Sequence, residues 1–96
     1  MKPSEALALK RDLLGPIVAR YPTTNLRVFG SVLHGRDRED SDLDLLVDAL
    51  PGTTLIDLSS LHLELEDLLG VPVHLSTPGE ISKKFRDEVL AEARPV

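Results

Sequence analysis

Residues 29–48 read FGSVLHGRDREDSDLDLLVD. An apolar end runs into Gly30-Ser31, a charged loop follows, and a second apolar run opens with two acids at its mouth. Over 42–48 the alternation is that of a strand, with Leu43, Leu45 and Val47 on one face and Asp42, Asp44, Leu46 and Asp48 on the other. Two positions apart on a strand, Asp42 and Asp44 leave the same face with Cα atoms roughly 6.6 Å apart. Two like charges near 4 Å repel by about 4 kcal/mol at an effective dielectric of 20. Such a pair needs water, a shared proton or a cation. A hard divalent ion such as Mg²⁺ takes oxygen ligands, commonly one or two carboxylates completed by substrate phosphates. The plain alternative is a half-exposed strand whose wet face is acidic.

Gly30-Ser31 adds a second signal. Glycine permits a sharp turn or a close approach of backbone to a ligand. Ser31 then opens a single helical turn over 31–35, where free N–H groups favour an anion and the hydroxyl adds a donor. Alone, the pair is also ordinary turn chemistry with a Ser cap. Gly-Ser, ten residues, then Asp-x-Asp arises by chance in roughly one chain of this length in a thousand on average residue usage. The combination therefore outweighs either part.

The surroundings set the fold. Residues 4–20 read as a helix capped by Ser4, with Ala6, Leu9, Leu13, Ile17 and Val18 as its apolar stripe and a kink or break at Gly15-Pro16. A short strand over 25–29 leads into Gly30, and 36–41 is a solvated loop. A helix over 54–69 carries Leu58, Leu61, Leu65, Leu68 and Leu69 and stops at Gly70. Residues 71–75, VPVHL, form a strand suited by Pro72 to a sheet edge. A last helix over 79–93 points Ile81, Phe85, Val89 and Leu90 inward. The order α, β, short α, β, α, β, α predicts an α/β (α+β) fold, a small mixed β-sheet with helices packed on it.

The chain has 96 residues, which predicts one domain over 1–96. Only three aromatics are present, so the core is built from Leu, Val and Ile. The absence of cysteine excludes disulfides and thiolate zinc sites. No apolar run approaches the roughly 18 residues of a membrane span and no signal peptide opens the chain, so a soluble cytoplasmic protein is expected. A net charge of −5 argues against sequence-independent grip on nucleic acid, which needs Lys and Arg on phosphates.

Gly30, Ser31, Asp42 and Asp44 match the G-S-x10-D-x-D signature of the polymerase-β nucleotidyltransferase superfamily, and the short one-domain layout resembles its minimal nucleotidyltransferase branch. The likeness covers roughly residues 5–94, with 29–47 its specific part. It implies that Gly30 and Ser31 hold the terminal phosphates of ATP or another nucleoside triphosphate, and that Asp42 and Asp44 hold Mg²⁺ bridging them. The implied reaction moves a nucleoside monophosphate to an acceptor hydroxyl and releases pyrophosphate. Minimal members resemble antitoxins that pair with a helical HEPN-type toxin and add AMP to it, so a HEPN-type protein partner and a hetero-oligomer are expected. Ser41, which precedes Asp42 as in that branch, and Arg36 join the nucleotide-binding set.

Two departures matter. Active members carry a third carboxylate on the next strand; Val73-His74-Leu75 places His74 there, as a catalytic candidate beside Asp42 and Asp44. A neutral imidazole accepts a proton or binds a metal softer than Mg²⁺, but lacks the charge Mg²⁺ prefers. After Ser31 the family often has Arg-Ala, whereas Val32-Leu33 stands here; Arg36 and Arg38, or more weakly His34, are the substitutes. Asp48 is about 13 Å along the strand from Asp44, too far to share an ion. Glu64 and Glu66 are expected to face solvent, and His62 to be structural or exposed. The enzyme reading therefore stands beside a non-catalytic antitoxin or adaptor that works by binding its partner, and a weaker nucleotide-sensing one.

Overall fold

A computed structural model describes all 96 residues. Helix α1 (Pro3–Val18) buries Ala6, Leu7, Leu14, Ile17 and Val18. Leu9 and Leu13, expected in that stripe, are 69% and 50% exposed. Hydropathy marks them as apolar, but the face that packs is rotated toward Leu7 and Leu14. Pro16 does not break the helix. It removes one N–H, and the ladder resumes with Ala19 N–H donating to the Gly15 carbonyl at 3.0 Å. Ser4 is not the cap: Lys2 is, with its N–H on Glu5 Oε1 at 2.8 Å. The Ser4 N–H instead donates to Asp37 Oδ2 at 2.9 Å, so the charged loop closes the helix start from 33 residues away.

Strand β1 (Thr23–Phe29) runs into the one-turn helix α2 (Gly30–Leu33), and after the loop β2 (Leu43–Ala49) returns antiparallel to β1. The register slips between Thr24 and Arg27, at Asn25 with φ 59°. Asparagine tolerates that left-handed backbone. Its amide, with the Arg27 guanidinium, holds Asp48 at 2.9 and 2.5 Å.

Helix α3 (Leu55–Leu69) starts on Thr54, whose hydroxyl accepts the Asp57 N–H at 3.1 Å, and ends on Gly70 in the left-handed region. It buries Leu61, Leu65 and Leu69. Strand β3 (Val73–Ser76) then lies parallel to β2, and the sheet order is β3-β2-β1 followed by β4 (Arg94–Pro95), a two-residue strand too short to show in the sequence. α1 and α3 cover one face of the sheet. There Leu43 and Leu45, both fully buried, meet Leu14, Leu61 and Leu65. Each such leucine contributes about 1.5–3 kcal/mol by leaving water.

The opposite face carries Phe29, Asp44, Leu46 and His74. The expected last helix is divided: a 3-10 turn (Pro78–Glu80) packs on β2, and α4 (Lys83–Glu92) follows. α4 buries no residue, with Phe85 half exposed and Leu90 37% exposed. The expected contribution of these two side chains to the core is therefore absent. Arg86, bonded to the Ile81 carbonyl at 3.0 Å, and Glu92, 3.0 Å from His34, hold the two ends of α4.

Candidate active site

The site forms where β1 ends against the start of β2. Phe29 and Asp44 are Cα partners in the antiparallel ladder, so the next residue, Gly30, turns directly over the Asp44 side chain. Gly30 has φ +71°, and a Cβ built on it would lie 2.1 Å from Asp44 Oδ2. Only glycine fits both demands. Ser31 follows, partly buried, in the first turn of α2, where backbone N–H groups have no intrahelical acceptor. The Arg36 N–H donates to the Ser31 carbonyl at 2.8 Å, which folds the loop back onto the turn and leaves the Arg36 side chain exposed. Asp42 is exposed, one residue before β2; Leu43 is pinned by its N–H on the Pro72 carbonyl at 2.9 Å.

Asp44 is mostly enclosed, its side chain 23% exposed. Burial pushes its carboxyl above the usual range; the hydrogen bond and electrostatic interaction with His74 oppose the shift, while the Asp42 charge adds to it. His74 is the register partner of Asp44 on β3, with Nδ1 3.3 Å from Asp44 Oδ1 and the side chain 65% exposed. Gly30, Asp44 and His74 thus meet at one end of one sheet face, with Ser31 next in the α2 turn and Asp42 just before the start of β2. Ser41 lies apart in role: its hydroxyl accepts the Arg38 N–H at 2.8 Å and closes a turn of the loop.

No three His, Asp or Glu side chains converge as a ready-made metal cage. The donor set nonetheless fits a cation. Asp44 is held above its ordinary pKa first by burial and also by the charge of Asp42, and a divalent ion that brings phosphate oxygens and waters needs no more than two protein carboxylates.

Several other titratable groups have structural partners. Asp48 is held by Asn25 and Arg27. His62 Nε2 is 2.6 Å from the Val73 carbonyl, and Glu66 accepts the Val73 N–H at 2.8 Å, so α3 satisfies the outer edge of β3. Glu64 accepts the Tyr21 hydroxyl at 2.7 Å and pairs with Arg20. The expectation that Glu64 and Glu66 simply face solvent is corrected: both are partly covered and tie α3 to its neighbours, because they flank rather than oppose the leucine stripe. Beside His74, a cavity of 210 Å³ opens between α3 and β3, lined by Leu58, Ser59, His62, Leu75 and Ser76 among others. Sequence reading missed it, since it depends on how the α3 start overhangs the β3 edge.

The nucleotidyltransferase domain model matches residues 11–96. The chain belongs to the nucleotidyltransferase domain family. Among relatives of this chain, the protein adenylyltransferase MntA of Thermococcus cleftensis is 36% identical over 73 residues, 76% of this chain and 74% of that protein. A solved structure assigned as a minimal nucleotidyltransferase superposes with TM-score 0.86 at 44% identity, over 97% of this chain and 95% of the other. A crystal structure of a toxin-antitoxin with AMP-PNP matches at TM-score 0.70 and 21% identity, over 83% of this chain and 66% of that one, and shares the fold.

Proposed function

We propose that this nucleotidyltransferase moves a nucleoside monophosphate, AMP in the first instance, from a nucleoside triphosphate to a hydroxyl on a partner protein, in the cytoplasm. The observation that carries the reading is the fit of Gly30 over Asp44, which puts a phosphate-accepting turn and the acid strand within one side chain of each other. Ser31 and the free N–H groups of α2 bind the β- and γ-phosphates. Asp42 and Asp44 would hold Mg²⁺, which would supply positive charge to offset that of the phosphates and of the attacking and leaving oxygens. The acceptor oxygen attacks the α-phosphorus, the bond to the bridging oxygen of the β-phosphate breaks, and pyrophosphate leaves. The acceptor's proton passes to a base at the sheet end, where Asp44 and His74 are the groups present.

The partner is proposed to be a HEPN-type toxin, with this chain its antitoxin in a hetero-oligomer. The adenylyltransferase relative and the AMP-PNP-bound toxin-antitoxin of the same fold support that reading. A second reading is favoured by one observation: an uncharged or singly charged imidazole occupies the register position opposite Asp44. On that reading the chain binds and occludes its partner with little or no transfer. ATP labelled at the α-phosphate, Mg²⁺ and the co-expressed partner separate the two. Label on a partner hydroxyl residue supports transfer. A neutralised partner that takes no label from any of the four triphosphates supports occlusion.

A further inference from the structure

We propose that the outer edge of β3 and the cavity beside it form the docking site for an extended segment of the partner protein, which seats one apolar side chain in the cavity and carries the acceptor hydroxyl on the next residue. This rests on the transfer reading above. β3 ends the sheet, so only one of its sides is paired with β2. The Leu43 N–H on the Pro72 carbonyl and the parallel register turn the N–H and C=O of His74 toward β2 and those of Val73 and Leu75 outward. At Val73 the edge is closed, with Glu66 on the N–H and His62 on the carbonyl. At Leu75 no turn, loop or side chain of the chain takes up the pair. An open donor and acceptor on a strand edge is a template for an added strand.

The 210 Å³ cavity lies at that open pair, with Leu55, Leu58 and Leu75 as its apolar wall and Glu80 and His74 at its polar side. Sites for small organic ligands take roughly 300–1,000 Å³. This one is too small for a nucleoside and holds a single side chain. Successive side chains of an added strand leave opposite faces. One residue enters the cavity on the α3 side, and its neighbour in sequence then stands on the face of Asp44 and His74, where the transfer reading puts the reacting atoms. Charge selects the segment as well. Glu80 is the one carboxylate that lines the cavity, and no Lys or Arg lines it. Thr77 occupies Oε1 of Glu80 and leaves Oε2 free. With a net charge of −5 on the chain, the site favours a segment with basic flanks.

The test titrates the isotope-labelled full chain by NMR with short synthetic peptides that carry Leu next to Tyr or Ser between flanking Arg residues, with Mg²⁺ and a non-hydrolysable ATP analogue present. The proposal expects the Leu75 amide to shift and its exchange with water to slow. Replacing the peptide's Leu by Asp is expected to weaken binding about tenfold or more, through the lost apolar burial. Ser59→Trp, which fills the cavity from an exposed position on α3, is expected to lose the peptide and keep the ATP analogue. With the co-expressed partner and ATP labelled at the α-phosphate, the same variant is expected to lose most of the transfer. Peptides that leave the Leu75 amide unmoved, or bind equally with Asp in place of Leu, overturn the docking site, as does native transfer by Ser59→Trp. A native chain that binds peptide at Leu75, yet neither binds the ATP analogue nor transfers label, keeps the docking edge and overturns the transfer reading, the hydroxyl placement included.

Discussion

Asp44 Oδ2 lies 2.1 Å from the point where a Cβ on Gly30 would sit. The Gly30 turn therefore packs directly against the acid that is proposed to hold the cation, with no room between them for a side chain on residue 30. Gly30→Ala is expected to lose cation-dependent nucleotide binding and to destabilise the fold. The left-handed backbone alone adds about 1–2 kcal/mol to that loss. Urea unfolding with calorimetric titration of a nucleotide analogue measures both; a variant that keeps native affinity contradicts the account.

Asp44 predicts a trade of stability against function. A carboxylate whose folded pKa is raised stabilises the fold fully below its unfolded value of about 3.8, and that contribution is lost as pH rises through the folded pKa. Asp44→Asn keeps the shape and removes the charge that is unfavourable in the folded state. It is expected to melt higher than the native chain at pH 7, with the gain fading toward pH 3. A lower melting point at pH 7 refutes this.

Asp37 predicts the opposite sign. The Ser4 N–H, first among the causes, holds its carboxyl below the usual range. Its contribution is present above the unfolded value of about 3.8 and is lost as pH falls through the lower folded pKa. Asp37→Ala is expected to lose about 1 kcal/mol at pH 7, the usual loss on removing a helix cap. The gap from the native chain closes in strong acid. Equal stability at pH 7 means that the loop does not hold α1.

On α3, Leu65 is fully buried whereas Leu63, two residues away, is 63% exposed. Leu65→Ala is expected to lose about 2–5 kcal/mol, and Leu63→Ala to stay within about 0.5 kcal/mol of native. Chemical denaturation of the pair tests the assigned face directly, and reversed effects would show that α3 is turned the other way.

The motif residues were legible because their roles are local: a glycine before a serine at a strand end, and acids alternating with buried leucines. The spacing of Gly30, Ser31, Asp42 and Asp44 needs no tertiary information to stand out. The α3 stripe was legible for the same reason, being leucine at helical spacing with a glycine stop. What was not legible depends on packing between distant segments. Leu9, Leu13 and Phe85 are as apolar as any core residue, and hydropathy does not say that no element covers them. The acceptor for the Ser4 N–H at the start of α1 comes from Asp37, far along the chain. The roles of Glu64 and Glu66 appear only when Tyr21 and Val73 are brought to them.

The central claim is that Ser31, Asp42 and Asp44 grip one cation-bound triphosphate. Isothermal titration of the full chain with a non-hydrolysable ATP analogue, with and without a divalent cation, tests it most directly. The account predicts binding that requires the cation, falls roughly tenfold in Ser31→Ala through loss of one charge-assisted hydrogen bond, and vanishes in the Asp42→Asn, Asp44→Asn double variant. Binding of equal strength without the cation, or in the double variant, would contradict it.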